Sequence, residues 1–151
     1  MRPTTQVALL ATLSLAAPLA ERADEVWHVT RFAAYMAAHS ITQIITFSVE
    51  LPGSEGPVEC STGGSAALSS TPFLLPVNGT CVEGSGLSFN FTQVEDFAIK
   101  LQVNNEEGVQ ATHTSDPNSV KFVSTGSTPL DTMTAYVGLQ DYDLTVAGEY
   151  N

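Results

Sequence analysis

Residues Thr42 to Leu51 read TQIITFSVEL, and apolar and polar side chains alternate along most of this stretch. In an extended chain one side would carry Ile45, Phe47, Val49 and Leu51, and the other side would carry Ile44, Thr46, Ser48 and Glu50. A period of two residues is typical of an antiparallel strand with one buried face. The stretch therefore predicts a strand that packs one side against an apolar core.

Three further stretches alternate in the same way. They are Glu25 to Phe32, with Trp27 and Val29 on one face; Gly86 to Val94, with Leu87, Phe89 and Phe91; and Asp96 to Val103, with Phe97, Ile99, Leu101 and Val103. Weaker strand patterns follow at 108–114, 120–124, 135–138 and 142–146, with Gly, Pro and Asn turns between the segments. The sequence thus predicts an all-β fold, a single compact antiparallel β-barrel or sandwich.

One segment departs from the strand pattern. In FAAYMAAH, the residues Phe32, Tyr35, Met36 and His39 have helical spacing, so we expect one short helical turn near 32–39. The chain has 151 residues, of which 43% are hydrophobic and 14% charged, enough for one domain with a real core. We predict that this β-barrel domain spans 25–147 and that a short tail follows at 148–151.

The N-terminus has the three regions of a secretory signal peptide. Arg2 supplies a positive charge, VALLATLSLA at 7–16 is small and apolar, and Ser14 and Ala16 suit the cleavage site. A membrane anchor and a buried helix are the alternatives, but a bilayer span needs about 20 apolar residues and Pro18 would end a helix. We predict a signal peptide at 1–16, or at most 1–20, a flexible mature N-terminus at 17–24, and a secreted, extracellular protein.

The composition of the chain is strongly acidic. Five Lys and Arg face sixteen Asp and Glu, which gives a formal net charge of −11 at pH 7. Such a surface repels phosphate backbones and anionic lipids, so it argues against nucleic-acid and membrane-surface binding. It favours a basic partner, or it simply keeps a secreted protein soluble and monomeric.

Cys60 and Cys81 are the two cysteines of the chain. In an oxidising compartment an even number of cysteines is typical of disulfides, and two cysteines allow one pairing. A free catalytic thiol is the alternative, but it would need a base nearby and would oxidise outside the cell. We therefore predict a Cys60–Cys81 disulfide.

Two N-x-S/T motifs make Asn78 and Asn90 candidates for glycosylation. Asn78 is followed by Gly79 and Thr80, and we expect it in an accessible turn just before Cys81. Asn90 is followed by Phe91 and Thr92, and we expect it on the polar face of a strand. That second site would carry a sugar only if its face meets solvent.

The residue types that perform catalysis are present but do not form a motif. The three histidines are His28, His39 and His113, and no two of them have a metal-ligand spacing. The carboxylate pairs Glu95-Asp96 and Glu106-Glu107 are adjacent in sequence, so in a strand each pair would point to opposite faces. No G-x-S-x-G or phosphate-binding glycine motif occurs either. We therefore nominate no catalytic residue, metal ligand or cofactor.

The order of motifs resembles the small secreted fungal β-barrels related to the major allergen of Alternaria. The relevant stretches are APLAER at 17–22, VWHVTRFAAYMAAHS at 26–40, ITFSVEL at 45–51, PVECS at 57–61, NGTCVEGSGLSFNF at 78–91 and AYVGLQDYDL at 135–144. Their order and spacing carry the resemblance, which covers most of 17–146. It implies a compact antiparallel β-barrel that fungi export as an effector, elicitor or allergen rather than as a known enzyme.

The resemblance also bears on cysteines and partners. Cys60 and Cys81 match one cysteine pair of the family, whereas Met36 and Gln43 stand where another pair usually occurs. No cysteine precedes the barrel, so we expect no disulfide-linked dimer of the allergen type, and the oligomeric state stays open. Without the second pair, we expect an apolar cluster around Phe32, Phe47 and Phe97 to hold more of the fold.

Three functions remain open from the sequence. The first is a non-catalytic effector, elicitor or allergen-like protein that binds a host plant protein or, as proposed for the family, a small aromatic ligand. The second is a secreted hydrolase or carbohydrate-active protein of unrecognised type. The third is a structural cell-wall protein held in place by glycans.

Overall fold

A computed structural model of the chain describes residues 25–65 and 69–147. The predicted signal peptide at 1–16, or at most 1–20, the segment at 17–24 and the tail at 148–151 lie outside the described residues and stay predictions. No helix in the described ranges is long and apolar enough to cross a membrane.

Within the described ranges the chain forms ten strands and one 3-10 turn. The strands are β1 (Val26–Met36), β2 (Thr42–Glu50), β3 (Val58–Ser65), β4 (Val77–Cys81), β5 (Ser88–Gln93), β6 (Ile99–Asn104), β7 (Gln110–Thr114), β8 (Val120–Ser124), β9 (Thr132–Tyr136) and β10 (Tyr142–Val146). The 3-10 turn spans Glu95–Phe97. The predicted all-β class is confirmed.

Eight of these strands close into an antiparallel barrel. Strands β1 to β7 pair in chain order, β7 pairs with β10, and β10 pairs back onto β1. The hairpin of β8 and β9 lies outside this ring and joins it because β9 pairs with the end of β1. The predicted antiparallel barrel is therefore confirmed, with a two-stranded extension on one side.

A β-bulge lets β1 serve two neighbours. Its first residues, from Val26 to Val29, pair with β10, and its last residues, Tyr35 and Met36, pair with β9. Between them the register against β2 shifts by one residue, and Arg31 adopts a left-handed conformation with φ 55°. One extra residue bends the strand and changes which side chains point inward.

The short helical turn predicted near 32–39 is wrong. Strand β1 runs on to Met36, and a turn follows in which the Ser40 backbone N–H donates to the Ala37 carbonyl. The bulge places Phe32 inside, and Ala34 and Met36 then continue the buried face. Because Ala34 is a small inward residue, the alternation is weak there, and the larger side chains produce a misleading helical spacing.

The barrel interior is filled by the inward faces of the strands and by Leu74 from the segment before β4. The fully buried large side chains are Trp27, Phe32, Phe47, Phe89, Phe91, Ile45, Leu74, Ile99, Leu101, Leu144, Val29 and Val49. Phe32 lies at the centre, with its ring centroid 6.0 Å from that of Phe47 and 6.4 Å from that of Phe91. The predicted inward faces of the four strongly alternating strands are confirmed for these residues.

Phe97 does not belong to this core, although the alternation placed it there. Its side chain is 38% exposed, and both Asp96 and Phe97 have φ 56° in the 3-10 turn. The Val94 backbone N–H donates to the Ala98 carbonyl, so the residues between them reverse the chain before β6 begins. Phe97 therefore lies in a turn and not in a strand, so the alternation of inward and outward side chains does not apply to it. The aromatic cluster is completed by Phe89 and Phe91 instead.

Strands β3 and β4 occupy a region whose composition predicted no strand. Cys60 and the glycine-containing residues after it pair with β2 along the whole of β3, and β4 pairs with β5. Both strands are positioned by their neighbours rather than by their own side chains. Such an override by tertiary pairing is expected for short polar strands.

Two glutamine amides attach the segment before β4 to the barrel. Gln43, which is 2% exposed, accepts from the Leu75 backbone N–H at 2.7 Å and donates to the Leu75 carbonyl at 2.8 Å. Gln93 accepts from the Leu74 N–H at 2.8 Å and donates to the Pro72 carbonyl at 3.1 Å. These hydrogen bonds hold the fully buried Leu74 side chain in the core.

Candidate functional site

The predicted bond between Cys60 and Cys81 is present and joins β3 to β4. The two cysteines are register partners, and the ladder between these strands contains one further pair, Ser61 and Thr80. Beyond that pair the strands separate. The disulfide therefore lies on the inner side of a short seam in the barrel wall.

A shallow groove of about 440 Å³ lies on the outer face over this seam. Its walls carry hydroxyl and amide side chains, among them Ser61, Thr80 and Ser88, together with Asn78 and Asn90. No lining residue is charged. Asn78 lies in β4 and not in the turn that the sequence predicted, while Asn90 lies on the outer face of β5 as expected.

A second outer groove, of about 500 Å³, surrounds His28 at the junction of β1, β2 and β10. His28 lies opposite Glu50 on one side and Asp143 on the other. Its Nδ1 lies 2.5 Å from an oxygen of Asp143. Asp141 adds a third carboxylate to the lining, so one imidazole lies among three acidic side chains.

Apart from His28 itself, no histidine, lysine or arginine lines this groove, although Arg31 lies close to it. The Arg31 backbone N–H donates to Asp141 at 2.9 Å, but its guanidinium turns away and donates to Ser48 and Glu59. The exposed carboxylates of the groove therefore have no lysine or arginine among the lining residues, and His28 contacts one of the three, that of Asp143. The groove is suited electrostatically to a positively charged group.

Neither His39 nor His113 lines this groove. His39 contacts Asp131 at 3.2 Å, and hydrogen bonds from Thr128 hold the pKa of the Asp131 carboxyl below its usual value. His113 stacks on the ring of Tyr142 at a centroid distance of 4.2 Å. Partial burial lowers the pKa of His113 despite the opposing effects of Asp143 and Asp116.

The predicted carboxylate pairs are also kept apart. Glu95 and Asp96 precede β6, while Glu106 and Glu107 follow it in the turn before β7. The length of a strand separates the two pairs, so they do not converge on one site. In the described ranges no three metal-ligating side chains lie close enough to hold a metal ion.

Sequence reasoning found His28 but missed its acidic neighbours. Glu50 ends β2, whereas Asp141 directly precedes β10 and Asp143 lies in it, far along the chain, and only barrel closure brings them together. No spacing in the sequence relates Glu50 to Asp143. Among the described residues, the hydrogen-bonding partner of the His28 ring is the Asp143 carboxylate and not a hydroxyl or thiol.

Crystal structures of other proteins share this architecture. A crystal structure of Alternaria alternata allergen Alt a 1 matches with a TM-score of 0.50 and 16% identity, covering 87% of this chain and 95% of that one. The chain has the fold of that allergen. Another crystal structure of Alt a 1 from Alternaria alternata matches with a TM-score of 0.46 and 17% identity over 83% of this chain and 94% of that one.

The likeness to Alt a 1 is structural. No protein-family model and no curated protein matches the sequence. The predicted resemblance is confirmed at the level of the fold. Met36 of β1 and Gln43 of β2 stand where the resembled family usually has another cysteine pair. The two residues are direct cross-strand partners.

Proposed function

We propose that this protein is a small, acidic, secreted fungal protein of the effector or allergen type, which acts by non-catalytic binding of a host plant protein. The observation that carries the proposal is the acidic His28 groove on the outside of a barrel with a filled interior. Trp27, Phe32 and Phe47 are each 1% exposed and occupy the space where a barrel would otherwise hold a small molecule. Binding is therefore assigned to the outer surface.

The fold and the predicted signal peptide support this proposal together. The structural neighbour is an allergen by its name, and the N-terminal 16 residues have the regions of an export signal. The described barrel offers no hydrogen-bonded nucleophile and base. These observations favour a surface that recognises a partner.

The partner that fits the groove is a basic segment of a host protein. Glu50, Asp141 and Asp143 present negative charge at one place, and the whole chain carries −11. Complementary charge steers association and fixes which surfaces meet. A small aromatic ligand would instead need an apolar pocket, and the lining of this groove is mostly polar.

The test measures partner capture and host response separately. The variant Glu50→Gln/Asp141→Asn removes two charges from the groove, and Glu106→Gln/Glu107→Gln removes two charges from a distant turn as a matched control. We expect the groove variant to weaken both capture from host extracellular fluid and the response of infiltrated tissue, and the control to change neither. Equal behaviour of the two variants would contradict the assignment of the groove.

A secreted hydrolase is the second candidate, because the contact between His28 and Asp143 is the orientation a general base would need. The variant His28→Gln distinguishes the two functions. A catalyst that used His28 for proton transfer would lose about 10²–10⁴-fold in activity while still capturing its partner. A binder would show parallel changes in capture and response, and that is the result we expect.

A further inference from the structure

The two glycosylation motifs meet on one face of the barrel. Asn78 of β4 and Asn90 of β5 are direct register partners, and both side chains point to the outer face. Directly opposite residues of antiparallel strands have Cβ atoms about 4.5–5.5 Å apart. Two glycans attached here would begin at almost the same point on the surface.

The surroundings of the two asparagines differ. Asn90 lies between Asn78 on one side and Gln102 of β6 on the other, and Gln102 donates to Asn104 at 2.9 Å. Its side chain is half-buried among these neighbours, whereas that of Asn78 is exposed. Asn78 is thus the more accessible amide of the pair.

The opposite side of Asn78 is open because the β3–β4 ladder has ended. Its last pair is Ser61 and Thr80, and the residues that continue β3 include Gly63 and Gly64, which are exposed and have no side chains. The uncharged groove of about 440 Å³ lies here. Hydroxyl and amide groups on its walls are the hydrogen-bonding partners that a neutral sugar uses.

We propose that Asn78 is the single N-glycan acceptor of the secreted protein and that the first sugars lie in this groove toward Gly63 and Gly64. Asn90 contacts that glycan through its side-chain amide and carries no glycan of its own. The acidic His28 groove is a different surface and stays uncovered. The glycan therefore covers the β3–β4 seam and leaves the proposed partner site accessible.

The modification is a group transfer without a redox change. The Asn78 side-chain nitrogen forms a bond to the anomeric carbon of an N-acetylglucosamine unit, supplied as a lipid-diphosphate-linked oligosaccharide by the secretory-pathway transferase. The bond between that carbon and the diphosphate oxygen breaks, the lipid diphosphate leaves, and the amide loses one proton to the transferase. Thr80 provides the hydroxyl that the N-x-S/T motif requires.

This inference rests on the secretion included in the proposed function, and the experiment separates the two. The protein is secreted from a eukaryotic host behind an unrelated signal peptide, so the acceptor site is tested whether or not residues 1–16 direct export. Secretion behind the native N-terminus is measured in parallel. A failure there would overturn the export proposal and leave the glycan result standing.

The readout is the intact mass before and after peptide-N-glycosidase, which converts a glycosylated asparagine to aspartate and so marks it. We expect one glycan, with the mark on Asn78. Asn78→Gln and Thr80→Ala should each remove the glycan, while Asn90→Gln and the motif-preserving Thr80→Ser should each keep it. Mapping in the wild-type protein decides the question if a variant fails to fold.

Two glycans, a mark on Asn90, or a wild-type protein without glycan would overturn the proposal. The position of the glycan is tested by exchanging Gly63, which shares the outward face of β3 with Ser61, for Trp in the glycosylated protein. A bulky side chain beside the groove should displace the first sugars and raise the rate of glycan removal from the folded protein several-fold. An unchanged rate would overturn the placement of the sugars along β3.

Discussion

At the scale of single residues, Gly79 shows how tightly this core is packed. A Cβ atom at Gly79 would lie 2.3 Å from Cζ of Phe89, its cross-strand partner. Phe89 is fully buried and cannot move away, since its ring also packs against Phe47 at 5.0 Å. Glycine is needed here because of the close approach of the ring, and not because of an unusual backbone conformation.

We therefore predict that Gly79→Ala destabilises the protein by about 1–3 kcal/mol, as overpacking does. Gly64→Ala is the matched control, since a Cβ there meets no atom within 4 Å, and it should change stability by less than about 0.5 kcal/mol. Denaturant unfolding measures both. Gly79→Ala keeps the N-x-T motif at Asn78 intact, so a loss of stability in this variant cannot be attributed to glycan loss.

The inward face of β6 gives a second prediction. Leu101 is completely buried, whereas Lys100 beside it is exposed. Leu101→Ala should cost about 2–5 kcal/mol through lost burial and a residual cavity, and Lys100→Ala should stay within about 0.5 kcal/mol. Similar losses of unfolding free energy for the two variants would show that the register of β6 is shifted by one residue.

His113 gives the protein a sensitivity to acid. Burial lowers its pKa, so near pH 6 the unfolded chain binds more protons at this residue than the folded one does. Stability should therefore fall as the pH drops below the ordinary histidine value of about 6.5, until the lowered pKa is passed. We expect His113→Gln to flatten the pH dependence of the unfolding midpoint in this range, and an unchanged slope would contradict the role of His113.

At the scale of elements, the seam of β3 and β4 is one of two short ladders in the barrel wall, the other being that of β7 and β10. Two register pairs join the strands at each of these seams, while eight join β2 to β3 and six join β5 to β6. The Cys60–Cys81 bond adds a covalent link between β3 and β4, where the ladder is short. The element with the least strand propensity is thus the one that carries the cross-link.

We predict that the double variant Cys60→Ala/Cys81→Ala loses about 3 kcal/mol, the value expected for a closed loop of this size. Hydrogen exchange should show the loss of protection first in β3 and β4, since the ladder between them is short. Protection lost evenly over all strands would instead mean that the seam is no weaker than the rest of the wall. The exchange pattern therefore tests the seam separately from the total stability.

At the scale of the whole molecule, the cysteine inventory restricts how copies can associate. The chain has two cysteines, and both are used in the internal bond. At the positions where the resembled family has another pair, Met36 and Gln43 face each other across β1 and β2. We therefore expect any dimer of this protein to be non-covalent.

We accordingly predict that the protein, expressed in an oxidising compartment, migrates as a monomer in non-reducing denaturing electrophoresis. The same sample under reducing conditions should shift only slightly, because opening an internal loop changes the hydrodynamic size of the denatured chain. A band of twice the mass that disappears on reduction would contradict the assignment of both cysteines to one chain.

Strongly alternating segments could be predicted from the sequence, and weakly patterned ones could not. The inward residues of β2, β5 and β6 follow from a period of two, because burial on one face selects apolar side chains at every second position. Strand β3 has the composition of a loop, and it is a strand because β2 provides a partner along its length. The bulge at Arg31 shifts which residues of β1 point inward by one position. A search for a fixed period of two residues cannot detect such a shift.

The same division holds for the candidate sites. The sequence by itself determined the all-β class, the disulfide, the acidic charge and the two N-x-T motifs, since each depends on composition or on residues that are close in the chain. The tertiary structure decided that Asn78 faces Asn90 and that His28 lies between Glu50 and Asp143. Barrel closure joins β1 to β10 across more than a hundred residues, and contacts of that range leave no periodicity in the sequence.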